Sequence, residues 1–165
     1  MIGRLLAASL AIAVGSTSVP AIGQDEASVQ DRLVSAGVCG PILAHAVSKL
    51  EQPGLYDVDP VIHDGVVVSL KISSMLARSY AVSTGFFVTE KTGAPAAEVD
   101  EVVSNLRTES QTLVAQQGSG RLPTELHQTA GNCAKIVLEN SPSLPEQSRD
   151  DYLQILGTYW PEYAS

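Results

Sequence analysis

Positive charge is scarce in this chain, and that scarcity excludes one class of partner at once. Ten Lys and Arg stand against 18 Asp and Glu, and the basic residues are scattered singly. Binding nucleic acid or an anionic lipid surface requires a basic patch that displaces counterions, so no nucleic-acid partner is expected. Cysteine is just as sparse, with Cys39 and Cys133 alone. Without a C-x-x-C pair there is no basis for that redox chemistry or for covalent haem attachment. H-E-x-x-H, a Gly-rich phosphate loop with its Lys, and G-x-S-x-G are missing too. The sequence therefore nominates no catalytic residue, no metal site and no cofactor, and it leans away from an enzyme. Nor is there an uninterrupted apolar run of the roughly 20 residues that a spanning helix needs, so no stable membrane anchor is expected.

What is present begins with a leader. Arg4 and the amino terminus supply positive charge, Leu5 to Val14 is an unbroken stretch of Leu, Ala, Ser, Ile and Val, and Ala21 and Gly23 are small enough to precede a cut after Gly23. This pattern predicts a cleavable secretory signal over 1–23 and a soluble domain over 24–165 that works in the periplasm or is secreted. The exported part keeps 142 residues, enough for a hydrophobic core. It carries all 18 acidic residues and nine of the ten basic ones, a formal charge of −9. In an oxidising compartment an even cysteine count reads as a disulfide. A Cys39–Cys133 bridge closes a loop of about 94 residues, for which chain entropy gives roughly 4–5 kcal/mol.

Between frequent turn signals the apolar residues recur with helical period, which predicts an all-α, single-domain bundle of five or six helices. Ser28 suits the cap of a first short helix, broken by Gly37, Gly40 and Pro41. Pro41 then suits the first turn of a second helix, whose inner face carries Ile42, Ala46 and Leu50 beside Leu43 and Val47. Asp59-Pro60 reads as a cap followed by Pro at the first helical position of a third segment reaching Val88. A short β-hairpin around 61–68 competes there, because Asp64-Gly65 lies between β-branched runs. Asp64, Lys71 and Arg78 decide for helix: spaced by seven, they form one narrow wet stripe on a helix that is otherwise apolar or small, as befits a central element buried on most sides. A fourth helix covers Glu98 to Ala115, with Glu98, Asp100 and Glu101 favoured by its dipole. Gln117 to Gly120 reads as a flexible connection. A fifth helix follows Pro123 with Leu126, Ala130, Cys133 and Val137 on one face. A sixth opens with a capping-box pattern at Ser143 to Glu146 and stops at Gly157.

Few side chains suggest a site. His45 and His127 stand six residues from Cys39 and Cys133, but a six-residue step turns a helix through 600°, which separates each His from its Cys by about 120° and argues against a shared metal. His63 and Asp64, adjacent on a helix, point about 100° apart. Tyr152, Tyr159, Trp160 and Tyr163 are half of the eight aromatic residues and lie in the last fourteen positions. Tyr and Trp are frequent binding anchors, so these four are candidate partner-binding residues, with 158–165 as an aromatic tail; the competing reading is a tail that plugs one end of the bundle. The favoured function is an exported interaction module (an inhibitor or neutralising factor, a chaperone-like protein or an accessory subunit) whose partner is another exported or envelope protein. The alternative is a carrier of a small apolar ligand or cofactor, in a cavity lined by Ser69, Ser73, Ser74, Ala77, Ser83 and Thr84. Oligomeric state is open.

Overall fold

In the computed structural model residues 22–164 are described, with side chains from residue 28 onward; positions 1–21, which hold most of the expected leader, lie outside the described residues. Helix α1 (Ile22–Val34) runs into a π-helical turn (Ser35–Cys39) and on into α2 (Gly40–Leu50) as one rod. Then come α3 (Pro60–Thr92), α4 (Ala96–Ala115), α5 (Thr124–Glu139), α6 (Glu146–Tyr159) and a closing 3₁₀ turn (Trp160–Tyr163). Among the described residues there is no strand, and 61–68 lie within α3. The chain is an all-α bundle.

The expected break at Gly37, Gly40 and Pro41 does not occur, and Ser28 lies inside α1 rather than at its start. Proline lacks an N–H and its ring crowds the carbonyl one turn back. A π turn widens the helix at that point and shifts pairing to the carbonyl five residues earlier, which for Pro41 is that of Ala36. The Arg107 guanidinium on α4 donates to this carbonyl, at 3.3 Å. Gly37 is needed for a different reason: a Cβ there would sit 2.6 Å from Leu106 Cβ and 3.1 Å from the Val103 carbonyl oxygen. The rod thus presses its backbone onto α4. Two residues on, Cys39 is joined to Cys133 of α5, with Cα atoms 5.2 Å apart and both side chains buried.

Asp59 caps α3 as expected, its carboxylate accepting from the Val61 and Ile62 amides. Helix α3 lies against α2, α4, α5 and α6, burying Val66, Val67, Leu70, Ala77, Tyr80 and Val88. The rod and α3 are each long and apolar enough to cross a membrane by length and composition, contrary to the sequence reading, yet both contribute to this core. The inner faces of α2 and α5 are buried as expected.

Both ends of α6 and one connection differ from expectation. Helix α6 passes through Gly157 and delivers the 3₁₀ turn. Its start has Pro145 at the cap without a side-chain bond, and the Ser143 hydroxyl instead meets that of Ser141 at 3.0 Å. The connection after α4 is sewn to the end of α2 and to the loop before α3: buried Lys49 donates to the Gly118 carbonyl, Arg121 Nε to that of Leu55, and the Leu122 amide to the Tyr56 hydroxyl.

Two outcomes follow for stability. Reducing the disulfide, or replacing both cysteines by Ser, should remove up to about 4–5 kcal/mol, read as a lower denaturant midpoint. Gly37→Val should cost about 1–3 kcal/mol by overpacking against Leu106, whereas Gly40→Ala, whose Cβ meets nothing within 4 Å, should leave the midpoint unchanged or raise it.

Candidate functional site

Two of the four tail aromatics are sunk into the molecule. Trp160 is 6 % exposed and Tyr163 fully buried, while Tyr152 and Tyr159 are half-buried against the core. Trp160 stacks on His127 with ring centroids 4.2 Å apart. The bonding is reciprocal: His127 Nε2–H donates to the Trp160 carbonyl at 2.8 Å, and the Trp160 indole N–H donates to the His127 carbonyl at 3.1 Å. Gly131 makes room for the indole, since a Cβ there would lie 2.8 Å from Trp160 Nε1. Tyr163 packs on Tyr56, and its hydroxyl meets His63 Nδ1 at 3.2 Å. Burial, with Glu162 and Tyr56 nearby, pushes its phenol up to about 12. The turn therefore plugs the gap between the start of α3 and α5. Any surface role for the aromatic set falls to Tyr152 and Tyr159.

The two cysteines are joined; their neighbouring histidines go separate ways. His127 holds the plug, and His45 lines a cleft on α2. Burial lowers the pKa of both imidazoles, with Lys49 adding to the effect at His45 and the Trp160 carbonyl opposing it at His127. Among the described residues no group of three or more His, Cys, Asp or Glu side chains gathers to hold a metal ion.

The sequence reading missed two surface features, and both involve α3. The first is its outer face. Val61, Val68, Met75, Val82 and Phe86 are 81, 47, 66, 81 and 80 % exposed. At 100° per residue they fall within about 60° of arc, opposite the buried face. Asp64, Lys71 and Arg78 form the expected wet row beside them, all exposed, with Lys71 paired to Glu51. The helix is thus apolar on two faces, and only one is covered.

The second feature is a cleft of about 730 Å³ where the rod, α3 and α4 meet. Ala36, Gly40, Pro41 and Ala44 form its rod side, Ala77, Ala81 and Val82 its α3 side, and Val114 and Ala115 its α4 side. Its polar groups are His45, Arg78, Arg107 and Gln111. Of the small residues expected to line a cavity only Ala77 is there. Ser69, Ser73 and Thr84 are buried, their hydroxyls donating to carbonyls one turn back in α3.

Comparison with known proteins gives no match to a protein family, to a curated protein or to a solved structure.

The plug and the imidazoles make checkable statements. Trp160→Ala should cost about 3–5 kcal/mol in denaturant unfolding. Because His45 and His127 bind protons more weakly when folded, the unfolded chain takes them up first as the pH drops. Stability should be full above the ordinary imidazole value near 6.5 and decline as the pH falls through the folded-state values. Melting at about pH 7.5 and about pH 5 checks the sign, and His127→Phe, which keeps the stack, should shrink the difference.

Proposed function

We propose that this chain is an exported interaction module that recognises another exported or envelope protein through the outer face of α3. The observation that carries the reading is the row of five large apolar side chains on a helix whose opposite face is already buried. Monomeric proteins rarely expose a contiguous apolar patch larger than a few hundred Å², and an exposed helix stripe of this kind is what a partner helix packs against. The adjacent row gives the contact a direction. Asp64 and Arg78 lie about 21 Å apart along the helix, so a fitting partner presents an apolar stripe flanked by a base near Asp64 and an acid near Arg78. The acidic balance of the chain favours encounter with a basic partner. The leader and the joined cysteines suit a periplasmic or secreted setting, where disulfides persist. An inhibitor, a chaperone-like protein and an accessory subunit are all forms such a module takes.

The test is a photo-crosslinking residue placed at Met75, and separately at Gln128 on exposed α5, in the chain expressed in its native envelope. Position 75 should give a defined adduct that Phe86→Asp suppresses without changing the melting temperature. Equal labelling from position 128, or adducts indifferent to Phe86→Asp, would sink the α3 reading. Export has its own check: the native chain should begin at Gln24.

A further inference from the structure

The cleft between the rod, α3 and α4 is a second feature, and we propose that it binds one organic anion, a carboxylate head on an apolar chain. The volume, about 730 Å³, falls within the range of small-molecule sites. Rows of small residues normally let helices close on one another. Here three such rows meet and a space remains. Gly40 sharpens the point, because glycine is unfavourable inside a helix and no neighbour requires it: a Cβ would meet nothing within 4 Å. In the same rod Gly37 is forced by contact with Leu106. The missing side chain at Gly40 serves the cleft rather than the packing.

The charge of the lining selects the head group. In a chain with 18 acidic and ten basic residues, the cleft holds Arg78, Arg107 and His45 and not one carboxylate. Arg78 makes no ion pair or hydrogen bond among the described residues, and Arg107 spends one N–H on the Ala36 carbonyl, leaving donors on both for an anion. His45 Nε2 is buried without a hydrogen-bond partner, an arrangement that an oxygen of a bound ligand would relieve. The apolar walls exclude a bare inorganic ion as the best fit, since they would gain nothing from it. Val82 and Arg78 border both the cleft and the docking face, but Met75 and Phe86, which test that face, lie outside the lining, so the two proposals can fail separately.

The experiment uses the mature protein, unfolded and refolded to strip any carried ligand, in calorimetric titration and native mass spectrometry. The probes share one alkyl chain: dodecanoate, dodecyltrimethylammonium and dodecyl maltoside. Dodecanoate should bind one to one, the other two should not, and Arg78→Gln should weaken binding about tenfold, the loss of one charge-assisted contact. Gly40→Leu should project a side chain into the cleft and weaken binding by about tenfold or more while the melting temperature holds. If Gly40→Leu fails to fold, exposed Arg78→Gln alone decides. Absence of a one-to-one dodecanoate complex, equal binding of the cationic probe, or unchanged affinity in Arg78→Gln overturns the proposal.

Discussion

The arrangement depends on carrying a proline through the middle of a helix. Pro41 cannot donate to the turn before it, and a rod that broke there would release α1 from the bundle. The π turn over Ser35–Cys39 keeps the rod whole, and its neighbours fix it from both sides. Gly37 lies against α4, Cys39 is tied to α5, and Arg107 serves the carbonyl that Pro41 leaves unpaired. Wide helical turns often accompany functional sites, and this one underlies the cleft: Ala36, Gly40 and Pro41 all line it. A backbone irregularity, a covalent tie and a binding surface thus share a few residues.

Much of the bundle was legible because its signals are local. The cap at Asp59, the inner faces of α2 and α5 and the charged row at 64, 71 and 78 follow from periodicity and side-chain chemistry within a few residues. What failed was decided at long range. Pro41 reads as a break because the rule for proline knows only its own helix, whereas its tolerance depends on Arg107, some 66 positions away. Gly157 reads as a stop, but its cost of about 1 kcal/mol is outweighed because the helix beyond it is held by Trp160 in its socket. The tail aromatics were ambiguous in principle, since the same ring chemistry serves core and interface. His127 and Gly131 are what make Trp160 internal.

The outer face of α3 is a different kind of miss. The seven-residue spacing of Val61, Val68, Met75 and Val82 was available from the start, but apolar side chains were assigned inward by default. A helix has only so much neighbouring surface, and here it is used up by the face bearing Val66, Leu70, Ala77, Tyr80 and Val88. The cleft left no local trace. Its walls come from three segments whose small residues look, one at a time, like ordinary close-packing positions.

The socket of Trp160 and Tyr163 also bears on how the molecule comes into being. The residues that fill it are made after every helix has been synthesised, and they seat against α3 and α5, which come earlier. A nascent chain therefore carries an empty hollow until this late segment arrives. Closure of the bundle at this end waits on a segment made after both of the helices it seats against.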